Sequence, residues 1–434
     1  MTALLQTLKS SQNDIQMRNK LYFFLVAFLL ITNLHAQINQ ELALEYFKEA
    51  KDLCIKDNGR LWGVSICGPM VIYDIASKTI ATSEPEPNEK RPRILGVVNA
   101  PMQWGGKSWG AYIWNDVATK TPRDRRELLL HELFHGVQQQ LGLGVGTGTP
   151  EHLDETQGRY WMRLEWRALA LALRSSGKKR KIALSDALLF RQERQQLYPK
   201  HSDDEKGQEI TEGLAAYTAT KLVATSDKEA ITAALDLLDN IENTALASSF
   251  IRTFAYFSGP AYGLLLDQAS NDWRKRIKGS DDLAAFVAQA YKIYPSKDVS
   301  KSVFKYNGNA IMASEHQREK DRQEKIENLR KVFVDNSVLI FPGGSHSYDT
   351  RGAIVIPGEG TIYFGPFKAS GPWGSLDATK GVLVSSDGSK RKLAGPIRID
   401  EKTFKGDGWT LIVGDGWVVK ESIQQGKYEV IKKE

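Results

Sequence analysis

The sequence predicts an α+β protein with a carboxy-terminal β-rich module. Three observations lead there. Short β-branched and aromatic runs, broken by Gly, Pro and Asn, fill residues 59–116. Apolar residues at helical spacing dominate from Thr121 to about Tyr294. Short runs return after about Asn336, separated by Gly, Pro and Asp-Gly turns. The 434 residues are 41% hydrophobic and 25% charged, enough to bury a large core in two or three domains. The net charge of +6 is mild and dispersed, so nucleic acid is not an expected partner.

The elements follow in order. Arg18 and Lys20 precede the apolar run Leu21–Leu34 and the small residue Ala36. A basic start, an apolar run and a small residue read as a signal peptide over 1–36, cut after Ala36. The run is short for a membrane span, so no stable membrane insertion is expected after cleavage. The mature chain is then secreted or periplasmic. In that oxidising setting Cys54 and Cys67 allow either a disulfide or two buried thiols.

Residues 37–58 read as an amphipathic helix. Strand-like runs at 61–75, 78–84, 93–99 and 107–116 suggest a small antiparallel sheet packed on the next helix. The last run, Lys107–Trp114, offers an edge to an extended peptide. Within the helical region, Ser249–Gln268 reads as two pieces broken at Ser258-Gly259-Pro260. Glu315–Phe333 mixes both charge signs and reads as a solvated helix with an Ile326, Leu329, Phe333 stripe. Beyond it, "GDGW" recurs at 406–409 and 414–417, which suits successive hairpin turns. The expected divisions are 37–150 for helix, sheet and the following helix, 151–334 for a helical subdomain, and 335–434 for the β-rich module.

The chemistry concentrates in "RRELLLHELFHGVQQQ", Arg125–Gln140. Thr121 suits the N-cap of this helix and Pro122 its first position. His131 and His135 are one turn apart on one face, so both imidazoles can reach a single zinc ion. Glu132 lies about 100° round the helix. It is placed to take a proton from water, not to ligate. Leu130, Leu133, Phe134 and Val137 form the apolar face. A catalytic zinc needs a third protein ligand and an open position. Asp154, Glu155, Glu165, Glu209 and Glu212 compete for that place. The histidine continuation of metzincins is absent, because Gln138 and Leu141 occupy its positions.

The segment Thr211-Glu212-Gly213-Leu214-Ala215 resembles the third-ligand helix of gluzincin metallopeptidases, often written N-E-G-x-A, with Thr211 replacing the Asn. The resemblance favours Glu212 as third ligand, and Gly213, Ala215 and Ala216 would let its helix approach the histidine helix. Tyr256–Asp267 resembles the Tyr-x-x-Gly segment of aminopeptidase-type gluzincins, whose tyrosine stabilises an oxyanion. Tyr256 with Gly259 matches that spacing, while Tyr262 and His152 compete for the role. The Gly-x-Met-Glu-Asn segment that binds the substrate amine in that group has no counterpart in "WGGKSWGAYIWN", which leaves an endopeptidase or another amidase open.

These resemblances together imply a zincin-like domain that binds Zn2+, uses Glu132 with Tyr256 or Tyr262, and acts on a peptide or protein. The competing reading is a catalytically inactive zincin-like scaffold. Its β-rich module would then bind a surface polymer or protein, through Trp373, Trp409 and Trp417 if these are not core.

Overall fold

The computed structural model describes residues 38–434 apart from 97, 145–147, 242–247, 271, 349–352 and 424. The signal peptide expected over 1–36 lies outside the described residues. Among the described residues no helix is long and apolar enough to cross a membrane. Two compact units are present, one ending at Met312 and one running from Ala313 to Glu434. The division falls inside the helix Gly308–Arg330, whereas the change of sequence pattern near 335 marks the switch from helix to strand.

In the first unit, Asn39 caps helix α1 (Gln40–Asp57) by accepting from the Leu42 amide. Its buried face carries Ala43, Tyr46, Phe47, Ala50 and Cys54. A Cys54–Cys67 disulfide, with Cα atoms 5.4 Å apart, ties α1 to the segment that enters the sheet.

The sheet contains β1 (Met70–Tyr73), β2 (Ile80–Thr82), β3 (Ala100–Trp104) and β4 (Lys107–Ile113), in the order β2-β1-β4-β3. It is mixed, not antiparallel as expected, because β1 and β4 run parallel with Met70 opposite Gly110. Parallel neighbours need a long crossover, and residues 74–106 supply it. Among the described residues of 93–99 no strand forms, and residues 100–104 pair instead. Gly105 and Gly106, at φ +59° and +72°, form a two-residue turn that fixes Trp104 opposite Lys107. This hairpin places β4 inside the sheet. The outer strand on that side is therefore β3, which corrects the expectation of a β4 edge.

Thr121 caps α2 (Pro122–Gln138) by accepting from the Asp124 amide, with Pro122 in the first turn. The helices α3 (Thr156–Leu173), α4 (Gly177–Leu197) and α5 (Ser202–Gln208) follow. A π turn, Glu209–Gly213, then leads into α6 (Leu214–Val223), with α7 (Asp227–Asp239) and α8 (Ala255–Asp267) after it. Leu130 and Phe134 of α2 share one core with Leu164 of α3 and Tyr217 of α6. No break in packing separates the sheet from the helices. Helix α8 runs through Pro260, contrary to the expected two pieces. In the second turn the ring removes only one helical hydrogen bond. Phe257, Ala261, Leu264 and Leu265 bury the rest.

In the second unit, Ile326 and Phe333 bury with Ile356, Ile362 and Leu383, and Leu329 packs beside them. The strands from Val338 onward form a six-stranded and a seven-stranded sheet. Trp373 and Trp409 are buried between them, and Trp417 packs on the same cluster. Trp373 and Trp409 are core residues, while Trp417 is half-buried at the edge of the same cluster. The first "GDGW" closes a hairpin, with Gly406 opposite Trp409. The second joins Trp409–Val413 to Trp417–Glu421, which lie in different sheets. It is a crossover between sheets, not a second hairpin turn. Lys427 Nζ donates to the Asp335 and Asn336 carbonyls at 3.1 and 2.7 Å, placing a cation at a helix end.

Gly213 and Gly259 approach each other closely, backbone to backbone. A Cβ on Gly259 would overlap the Gly213 backbone. Gly259→Ala is expected to lower stability by about 1–3 kcal/mol, as overpacking does. A urea unfolding midpoint equal to wild type would show that the approach is not needed.

Candidate metal centre

Three elements converge on one point. Helix α2 presents His131, Glu132 and His135. The π turn presents Glu212, and α8 presents Tyr256. His131 Nε2 lies 2.9 Å from His135 Nε2 and 3.2 Å from Glu212 Oε2. His135 Nε2 lies 3.5 Å from the same carboxylate oxygen. Two imidazole nitrogens and one carboxylate oxygen are the donor set of a catalytic zinc site with an open position. Donors bound tetrahedrally at about 2.0–2.1 Å sit roughly 3.3 Å from one another, by the geometry of the tetrahedron. The observed separations bracket that value, so the residues fit such an ion. Among the described residues this is the one cluster of three or more His, Cys, Asp or Glu with converging ligand atoms.

Local sequence explains the placement. Glu212 is followed by Gly213, whose missing side chain admits α8 at Gly259. Tyr256 stands one turn before Gly259, so the same approach brings its hydroxyl to Glu212 Oε2, where it donates at 2.9 Å. Gly213 thus faces α8, while Ala215 is buried in the core shared with α2. The expected packing of Gly213 on the histidine helix is corrected accordingly. The Tyr256 ring lies against His131 with centroids 5.3 Å apart.

Electrostatics distinguish the roles. Burial opposes ionisation of Glu212, but hydrogen bonds and charge from His131 and His135 hold its carboxyl well below the usual range. Burial also disfavours charge on His135, yet Glu212 raises it overall. Burial pushes Glu132 up against the pull of both histidines. Burial and the Glu212 charge push the Tyr256 phenol far above its ordinary value, so it remains a donor. A cavity of about 350 Å³ opens beside Glu132, His135, Glu212 and Tyr256, with Asn99, Pro101 and Thr211 on its walls. A second, of about 270 Å³, also touches Glu132 and is lined by Ile66, Pro69, Leu133 and Val137.

The other candidates lie elsewhere. Glu165 is fully buried, accepts from the Tyr262 hydroxyl at 2.5 Å, and pairs with Arg191 and Arg194 at 3.3 and 2.7 Å. Tyr262 is therefore held away from the histidines by its bond to Glu165. Glu209 pairs with Arg191 at 2.7 Å. Asp154 accepts from Ser249 Oγ and the Phe250 amide, and Glu155 from the Tyr198 hydroxyl. His152 is buried, 2.7 Å from Glu205, and is not a loop surface group. Sequence reasoning passed over Gln138, Asn99 and Thr211. Gln138 had a signal: it follows His135 by three residues and shares its helix face. Asn99 and Thr211 had none.

No family model, curated protein or solved structure matches the chain.

The buried ion pairs beneath the π turn give a pH prediction. Burial opposes the Glu205 charge, but Arg194 and His152 hold its carboxyl well below the ordinary value of 4.5. A depressed carboxylate stabilises the fold fully above its unfolded value, and the contribution fades as pH falls below it. Stability should therefore decline below about pH 4.5. Glu205→Gln should destabilise the protein at neutral pH by less than the roughly 3–5 kcal/mol of a fully broken buried pair, because Arg194 keeps Glu165 while it and His152 lose the Glu205 charge, and should show a shallower acid decline. Urea midpoints at neutral and acid pH test this; equal acid slopes in the two proteins would refute it.

Proposed function

We propose that this chain is a zinc-dependent metallopeptidase built on a zincin-like domain, acting outside the cytoplasm on peptide or protein substrates. The convergence of His131, His135 and Glu212 at 2.9, 3.2 and 3.5 Å is the observation that carries the reading. Glu132 supports it. The residue is 7% exposed, its carboxyl borders both cavities, and no described residue hydrogen-bonds it. A buried acid without a structural partner beside a ligand cluster is what general-base chemistry requires.

His131, His135 and Glu212 would hold the ion. Zinc, when bound, supplies a Lewis acid that polarises a carbonyl and makes water acidic near neutral pH. Glu132 takes the proton of the attacking water and returns it to the leaving amine. Its raised pKa suits both halves of that exchange. Tyr256 stays protonated and turns its hydroxyl from Glu212 to the developing oxyanion. The outer β3 edge and the cavity beside Pro101 would hold the substrate backbone by strand addition. Trp373 and Trp409 of the β-rich module are buried, which leaves only the half-buried Trp417 to support a purely binding protein.

Purified protein is expected to hold about one zinc per chain, lost in Glu212→Ala and kept in Glu132→Gln. Glu132→Gln should lower the turnover of a peptide library by about 10²–10⁴-fold. A chelator should stop the wild type. Wild-type protein that takes up no zinc when it is offered, or turnover that survives Glu132→Gln, would sink the reading.

A further inference from the structure

The side chain of Gln138 bridges two of the three elements at the centre. It is 3% exposed. Its Nε2 donates to the Thr211 carbonyl at 2.7 Å and to the Ile210 carbonyl at 3.3 Å. Both carbonyls belong to the π turn that carries Glu212. Its Oε1 lies 2.6 Å from His135 Nδ1.

The orientation of this amide follows from chemistry. Turned over, the amide oxygen would face two carbonyl oxygens, none of which can donate. The NH2 group must therefore face Ile210 and Thr211, and the oxygen must face His135. A carbonyl oxygen only accepts, so Nδ1 of His135 carries the hydrogen. A neutral imidazole with Nδ1 protonated has its lone pair on Nε2. That Nε2 is the atom 2.9 Å from His131 and 3.5 Å from Glu212.

We infer that Gln138 is a positioning residue that locks His135 in the Nδ1-protonated tautomer and fastens the histidine face of α2 to the π turn bearing Glu212. The inference rests on the metal reading for its purpose, though not for its geometry. One amide then sets both the direction of a ligand lone pair and the distance between ligands on separate elements. A π turn departs from the regular ladder of helical hydrogen bonds. Two donors from outside the helix give its carbonyls partners that hold the turn in place.

Two variants separate the two roles. Gln138→Leu keeps the approximate size and removes both. Gln138→Glu keeps an acceptor for Nδ1–H and removes the donors to the π turn. Side-chain ¹⁵N spectra of metal-free protein at about pH 9, where histidine is neutral, report the His135 tautomer. Competition between the protein and a chelating dye for Zn2+ alone reports affinity. The wild type is expected to show Nδ1–H at His135. In Gln138→Leu that signature should become mixed, and zinc affinity should fall by about 10–100-fold, the range for loss of an outer partner of a ligating histidine. Gln138→Glu should keep the Nδ1–H signature while amide exchange at Glu212 and Gly213 speeds up.

Wild-type His135 protonated on Nε2, or a Gln138→Leu protein with unchanged tautomer, would overturn the inference. If the wild type bound no zinc, the metallopeptidase reading would fall, and the tautomer comparison would still decide the role of Gln138. If Gln138→Leu did not fold, the Gln138→Glu spectra and exchange rates would decide it.

Discussion

The close approach of Gly213 and Gly259 is the constraint on which the site depends. Two helical segments touch backbone to backbone only where neither carries a Cβ. Here the contact has chemical consequences on both sides. Glu212 precedes Gly213, and Tyr256 stands one turn before Gly259. Bringing the glycines together therefore seats a tyrosine hydroxyl on the carboxylate that faces two histidines. The short patterns Glu-Gly and Tyr-x-x-Gly, far apart in sequence, are two faces of a single packing event.

A π turn is an unusual place for a rigid ligand, and its surroundings show how it is held. Arg191 grips Glu209 at its start, Gln138 grips its carbonyls, and Gly259 packs against its end. Arg191 and Arg194 are themselves buried and need carboxylates near them. Glu165 and Glu205 provide these. Glu165 and Tyr262 thus act at a distance, as part of the frame under the turn. A burial pattern that looks catalytic in sequence, acid and tyrosine close to the histidine helix, belongs to this support.

Much of the first unit was legible because its signals are local. Thr121-Pro122 capped α2 as read, and the one-turn spacing of His131 and His135 fixed their shared face. The third ligand was legible only as a set of competing acids. Choosing among them needs the fold, since every rival has a structural partner that no spacing reveals. Glu165, for example, stayed a rival to the favoured Glu212 until Arg191 and Arg194 were placed beside it. The sheet was misread for two reasons. Parallel pairing of β1 with β4 depends on a crossover and leaves no local trace. The pairing strand Ala100–Trp104 contains Pro101 and lacks an apolar run, and its real signal was the Gly105-Gly106 turn that follows. Pro260 was read as a break because its effect depends on how far along a helix it falls.

Stability alone does not account for the centre. His131 and Glu132 are nearly sealed from water, and the two histidine nitrogens crowd each other at 2.9 Å. Both nitrogens also face the Glu212 carboxylate, so three potential ligand atoms share one poorly solvated point. Glu132 is buried with no hydrogen-bond partner among the described residues, a state that burial alone penalises. Apolar side chains of similar volume would pack these positions with less strain. The neighbouring ion pairs make the contrast plain, because there every buried acid meets an arginine or histidine. A fold that matches charges beneath the π turn, and brings three potential ligand atoms and Glu132 to one point above it, supports the proposal that a cation and a proton are handled there.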